Sequence, residues 1–196
     1  KINTFNYNSL RRMSNSVSNF YDKKNLTYGH GIPSEIVFGR NETTMKQIPS
    51  ILNGEKCAVL GYGPQGQGQA LNLRDSGVEV CIGVRENGSS WKKAIEDGFI
   101  PGETLFPIEE AVEKGNIIMF LLSDAGQIDI YPQIRDKLDN KNKTLYFSHG
   151  FGVVYQDKTN IDVDNLKNTD VIMVAPKGSG KSVRTLYQNG GGINAS

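Results

Sequence analysis

From residue 56 onward, short apolar runs alternate with mixed segments. The runs are 56–60 (KCAVL), 78–84 (VEVCIGV), 117–122 (IIMFLL), 144–148 (TLYFS) and 171–175 (VIMVA). Each is short and rich in β-branched or aromatic residues, which predicts strands. The run 117–122 is apolar without a break, the pattern of a strand covered on both faces. Segments 66–76, 90–97, 108–114 and 127–138 mix charged and apolar residues and are predicted as helices, whereas 152–168 is polar and is predicted as loop. Upstream, 29–39 reads as irregular chain, and 49–52 as a short helix stopped by Gly54. Strand and helix in turn predict an α/β fold with a doubly wound parallel sheet of Rossmann type. Ligands of such sheets gather beyond the carboxyl ends of the strands, so candidate chemistry is sought there.

The first such end carries Gly61-Tyr62-Gly63-Pro64-Gln65-Gly66 between the run Cys57-Ala58-Val59-Leu60 and a helix. In a dinucleotide turn, the first glycine permits the tight bend. The second lets a pyrophosphate approach the backbone, and the third lets helix and strand pack closely. The helix N–H groups then face the anion. A glycine-rich turn without a ligand is the alternative for this motif alone. The end of the next strand bears on the choice, because the ribose-reading residue falls there, about twenty residues past the glycines. An Asp or Glu at that place selects NAD. This chain has Arg85, followed by Ser89 and Ser90. A planar fork of donors with a fixed charge, plus two hydroxyls, suits a 2′-phosphate and points to NADP(H) over NAD(H). A solvated surface cation is the other reading of Arg85.

The remaining strand ends are Ser123-Asp124-Ala125-Gly126-Gln127, Ser148-His149-Gly150-Phe151 and Pro176-Lys177-Gly178-Ser179-Gly180. Asp124 is either a helix cap or a site residue. His149, over the cofactor cleft, either moves a proton or is a hydrogen-bonded loop histidine. Lys177 either neutralises an anionic substrate or is solvated.

Composition narrows the classes. The 196 residues carry 22 Lys and Arg against 21 Asp and Glu, a formal net charge of +1. That balance argues against a nucleic acid or an anionic membrane surface as partner. The longest apolar run is far too short to cross a bilayer. Cys57 and Cys81 fall in the first two predicted strands, which parallel pairing could bring side by side, and form no metal motif; reduced, inert thiols are the expectation. Residues 1–21 hold no acidic residue and contain Arg11-Arg12 among Ser and Asn. They read as an organelle transit peptide or as a disordered tail. The expected organisation is a tail over 1–24, an arm over 25–55 and a nucleotide-binding domain over 56–196.

Together, GYGPQGQGQALNLRDSG, IGVRENGSSWKKAIEDGF, LLSDAGQ, LYFSHGF, APKGSGKSVRTLY and GGGINAS resemble the NADPH-binding domain of ketol-acid reductoisomerases, nearest to the forms of fungal mitochondria and some bacteria. The resemblance covers about 56–196. It implies NADPH bound through Tyr62 to Gln65, through Arg85, Ser89 and Ser90, and through Asp124 to Gln127. It matches the family's active-site histidine to His149 and its PKGxG segment to Lys177, Gly178 and Gly180. Pro64 stands where Ser or Val is commoner, and Gly126 where Ala is usual; neither removes a donor.

The implied reaction acts on 2-acetolactate or 2-aceto-2-hydroxybutyrate. A Mg²⁺ pair polarises adjacent oxygens for alkyl migration, NADPH reduces the new ketone, and dihydroxy acids on the way to valine and isoleucine result. The resemblance further implies a small-molecule substrate, a homo-oligomer as full-length enzyme, and a mitochondrial location, with cytoplasm or plastid as alternatives. The family's Asp and Glu metal ligands lie on a helical C-terminal domain beyond the point matched by Ser196, and no acid here corresponds to them. The expectation is the cofactor half of the enzyme, a fragment or a split product.

Two other classes are open. APKGSGKS over 175–182 imitates the phosphate loop GxxxxGK[ST], with Ala175 in place of the first glycine. A non-catalytic NADPH-binding or regulatory module is the second.

Overall fold

A computed structural model describes residues 23–27, 30, 35–38, 50–139, 143–193 and 195. The chain divides into two compact units, Lys1–Ile48 and Pro49–Ser196. In the first, strands β1 (Lys23–Leu26) and β2 (Glu35–Phe38) pair antiparallel, Lys23 opposite Phe38 and Leu26 opposite Glu35. Irregular chain was expected over 29–39. The β-branched and aromatic run EIVF forms a strand there because a partner is available to take its backbone hydrogen bonds. The transit-like stretch 1–21 lies outside the described residues, and of the tail expected over 1–24 only Lys23 and Lys24 are described, at the start of β1.

The second unit holds a six-stranded parallel sheet. In chain order its strands are β3 (Lys56–Leu60), β4 (Glu79–Gly83), β5 (Leu105–Phe106), β6 (Ile117–Phe120), β7 (Lys143–Phe147) and β8 (Thr169–Met173). In space they run β5-β4-β3-β6-β7-β8. The chain thus builds outward from β3 in one direction, then returns to β6 on its other side and builds the opposite way. Helix α1 (Pro64–Asp75) follows β3, α2 (Ser89–Glu96) follows β4, and α3 (Ile108–Lys114) follows β5. Helix α4 (Asp124–Asp139) follows β6, and α7 (Gly180–Gln188) follows β8.

Register decides which side chains share a face. Ala58 lies opposite Cys81 and Ile118, while Cys57 lies opposite Val80. On the face carrying Ala58, the residues Leu60, Ile118, Phe120, Leu145 and Phe147 alternate along three strands and pack with Ile134 and Leu138 of α4. The two cysteines therefore point to opposite sides of the sheet. Both are free and buried, and burial pushes each thiol up to about 11.

The elements depart from expectation in three places. Strand β5 was not foreseen: two residues are too few to show alternation, and Ile82 and Gly83 of β4 pair with them. The polar stretch 152–168 is not plain loop. It folds as α5 (Phe151–Val154), α6 (Gln156–Thr159) and a 3₁₀ turn Val163–Asn165, with Ile161 and Val163 reaching the core. Helix α4 begins at Asp124 and carries Pro132 inside it.

Helix α7 rests on α1 through backbone. A Cβ on Gly68 would lie 2.5 Å from the Gly180 carbonyl oxygen, and one on Gly180 would lie 2.0 Å from the carbonyl oxygen of Pro64. Only glycine at both positions permits this approach. It ties the last helix to the glycine turn.

Candidate cofactor site

The sheet reverses its building direction between β3 and β6, and the loops after those strands part to leave a cleft of about 430 Å³. Gly61, Gly63, Arg85, Ser89, Ser90 and Ser123 line it, with Val84, Leu122 and Ile130 as apolar wall.

Each glycine of the turn has its own role. Gly61 has φ +93°, and a Cβ there would press on the Leu121 carbonyl and the Leu122 side chain at 3.0 Å. A Cβ on Gly66 would stand 2.1 Å from the Gly61 oxygen, so helix and turn meet only through glycine. Gly63 is different: nothing lies within 4 Å of its Cβ position, and its φ of −75° is open to any residue. The space above Gly63 is therefore open, unlike that at Gly61 and Gly66. Gly63 is also the N-cap of α1 and offers no side-chain acceptor, so the first N–H groups of α1 have no cap.

A second part of the cleft lies after β4. Asn87 takes a left-handed φ of 60°, and the Gly88 N–H donates to the Arg85 carbonyl at 3.2 Å. The Asn-Gly pair turns the chain so that Arg85 and the uncapped start of α2, with Ser89 and Ser90, line the same cleft. That Asn87-Gly88 dipeptide is a turn signal readable in the sequence.

Other site residues serve in unexpected ways. Tyr62 is buried, and its hydroxyl donates to Asp97 at 2.9 Å while its ring meets Phe99 edge-on at 5.8 Å. Burial and the Asp97 carboxylate hold this phenol protonated far above its usual range. Gln67 donates to the same Asp97 oxygen at 2.7 Å, and Arg74 donates to the Asp97 carbonyl at 2.8 Å. Asp97 closes the C-terminal end of α2, so one helix meets the arginine end of the cleft at its start and grips the glycine turn at its finish. No motif in the sequence marks Asp97.

Gln127 is only 2% exposed and donates to the carbonyls of Phe120 and Leu122 at 3.2 and 3.1 Å. It braces the end of β6 and does not line the cleft, where the family pattern had placed it. Ser123 caps α4, accepting from the Gly126 N–H at 3.3 Å. Asp124 instead reaches across to the loop after β7, with Oδ1 3.5 Å from His149 Nε2 and both side chains half exposed.

Lys177 is exposed in the loop after β8. Gly178 and Gly180 serve packing: a Cβ on Gly178 would strike Ile193 at 2.3 Å, and Gly180 abuts Pro64. The Gly178 carbonyl accepts from Gln65 Nε2 at 2.9 Å. These contacts exclude a nucleotide-hydrolase phosphate loop at 175–182. Ser179 Oγ already caps α7 by accepting from the Ser182 N–H at 3.2 Å, and the backbone of Gly180 is pressed against α1. Among the described residues, no three His, Cys, Asp or Glu come together in a way that holds a metal ion. None of their helices is long and apolar enough to cross a membrane.

The sequence model of one family, "Acetohydroxy acid isomeroreductase, NADPH-binding domain", matches residues 51–195. The chain is 53% identical over 162 residues to the "Probable ketol-acid reductoisomerase, mitochondrial" of Schizosaccharomyces pombe, covering 83% of this chain and 39% of that protein. It is 54% identical over 170 residues to the "Ketol-acid reductoisomerase (NAD(+))" of Desulfosudis oleivorans, covering 87% and 47%. Among solved structures, an NADH-preferring ketol-acid reductoisomerase from an uncultured archaeon superposes with a TM-score of 0.66 at 42% identity, over 74% of this chain and 43% of that one. The chain thus spans less than half the length of these relatives.

Proposed function

The chain belongs to the acetohydroxy acid isomeroreductase family, whose NADPH-binding domain it carries over residues 51–195, and on that premise we propose that it is the cofactor-binding part of a ketol-acid reductoisomerase that uses NADPH. The observation that carries the choice of nucleotide is Arg85 beside Ser89 and Ser90 at the uncapped start of α2, in one cleft with the open face of Gly63. Relatives of this family include one named for NAD(+) and a structure titled NADH-preferring, so family membership alone does not choose between the nucleotides. A guanidinium and two hydroxyls at the ribose end match a 2′-phosphate dianion, whereas a bare 2′-hydroxyl leaves the arginine without a partner.

Bound there, the nucleotide supplies the hydride, and in the complete enzyme Mg²⁺ supplies the Lewis acid for migration. The described residues offer no acidic cluster that fits such ions. What this chain contributes is placement and proton handling. Gly63 and the start of α1 take the pyrophosphate, and Arg85, Ser89 and Ser90 take the 2′-phosphate. His149, with Nε2 3.5 Å from the Asp124 carboxylate, is placed to move a proton at the edge of the site, and Lys177 offers charge to the carboxylate of a 2-hydroxy-3-keto acid. The mitochondrial naming of a fungal relative and the acid-free stretch 1–21 with Arg11-Arg12 support import into mitochondria.

The test follows NADPH oxidation with 2-acetolactate and Mg²⁺ by the full-length protein carrying this domain. Turnover that needs both the metal and the keto acid, and that falls on His149→Ala more than NADPH affinity does, is expected. Absence of turnover with NADPH and with NADH alike would sink the assignment.

A further inference from the structure

Gln69 is a glutamine in the interior, 8% exposed, on the face of α1 that meets the sheet. Its amide is fully engaged. Nε2 donates to Gln65 Oε1 at 3.1 Å and to Ser148 Oγ at 3.0 Å, and Oε1 accepts from the Tyr146 hydroxyl at 2.9 Å. Tyr146 also lies 3.1 Å from the Val174 carbonyl, and Gln65 reaches the Gly178 carbonyl at 2.9 Å. One buried amide thus joins α1 to the end of β7, and its partners Tyr146 and Gln65 carry the contacts on to Val174 and Gly178 beyond β8. Its partners come from sequence positions as far as 79 residues away. Gln65 and Gln69 share a face of α1, one turn apart, so the link begins in the turn that receives the pyrophosphate and ends at Ser148, the neighbour of His149.

A buried polar side chain is costly unless all its groups are paired. A hydrocarbon at this position would fill the same space between α1 and the sheet. The arrangement suits a task that hydrocarbon does not perform, namely holding three separate loops at fixed distances. Resting on the proposed function, we propose that Gln69 is a positioning residue for hydride transfer. Through Ser148 on one side and Gln65 on the other, it fixes the His149 loop against the glycine turn and so sets how the substrate carbonyl lies relative to the bound nicotinamide. In the step it serves, a hydride with its two electrons passes from C4 of the reduced nicotinamide to the carbonyl carbon, the carbonyl oxygen gains a proton, and the nucleotide leaves oxidised. Gln69 touches none of the reacting atoms.

The test uses the full-length enzyme and two substitutions, Gln69→Leu and Ser148→Ala, separately and together. Misplacement by a fraction of an ångström is expected to lower kcat about tenfold or more, while the NADPH dissociation constant moves less than about threefold. The primary isotope effect on kcat with deuterium at the transferred position should rise, because hydride transfer becomes slower relative to the other steps. The double variant should lose no more than the worse single one, the mark of a shared contact. A folded Gln69→Leu enzyme with wild-type kcat and isotope effect would overturn the proposal, as would losses in the two variants that multiply. If Gln69→Leu does not fold, Ser148→Ala decides by the same split between kcat and NADPH affinity. A wild-type enzyme that binds NADPH but turns over no keto acid overturns the proposed function itself, and the role of Gln69 with it.

Discussion

Gly63 and Gly66 stand three residues apart, yet a side chain meets opposite conditions at each. At Gly63 the Cβ position is open and φ is −75°, so Gly63→Val leaves the fold intact and fills the space where a pyrophosphate passes. NADPH binding, read by calorimetry, should fall below detection while the melting temperature stays within a few degrees of wild type. At Gly66 the Cβ would lie 2.1 Å from the Gly61 carbonyl oxygen, so Gly66→Ala should cost about 1–3 kcal/mol of stability or more. Urea titration reads that loss, and wild-type stability for Gly66→Ala would contradict the packing. Arg85 makes a third case. Its removal as Arg85→Ala should weaken NADPH by about 1.5–3 kcal/mol, the range of a charge-assisted hydrogen bond, and leave NADH nearly unchanged. Equal losses for both nucleotides would show that Arg85 does not read the 2′-phosphate.

At the scale of elements, the cleft is built by helices acting at both ends. Helix α2 lines the cleft with its first residues, while Asp97 at its other end holds Tyr62 of the glycine turn and Gln67 of α1. Helix α7 leans on α1 by backbone contact at Gly68 and Gly180. The change Gly180→Ala forces a methyl into the Pro64 carbonyl and should destabilise the chain by about 1–3 kcal/mol while also weakening nucleotide binding, since the helix it displaces abuts the start of α1. Loss of stability without any change in NADPH affinity would separate α7 from the site. In the sequence, Gly178-Ser179-Gly180 looks like an anion cradle. The same glycines serve close packing here because Pro64 and Ile193 occupy the space a ligand would need.

For the whole unit, a ligand held between loops from two halves of the sheet must stabilise both together. NADPH at about 100 times its dissociation constant should add about 2.7 kcal/mol, which for a chain of this size raises the melting temperature by roughly 5–10 °C. NADH at equal concentration should add less, and an equal shift for both would argue against 2′-phosphate recognition.

The alternation of strands and helices, the glycine turn after β3 and the place of Arg85 at the end of β4 are legible from the sequence because each rests on local rules. Apolar runs bury themselves, glycine alone fits φ +93°, and a residue at the end of the second strand reads the ribose wherever the first strand leads into the glycine turn. Other features were settled only by the chain's return on itself. Strand β5 exists because β4 offers two residues to pair with. Cys57 and Cys81 face apart because the register sets Cys81 opposite Ala58. Gln127 braces β6 from the core, and Asp97 and Gln69 find their partners across 35 and 79 residues. A hydrogen bond or a clash is decided within an ångström. Sequence spacing controls such distances inside one helix or strand, but between elements they follow from register, crossover and packing, which exist only once the whole sheet has formed.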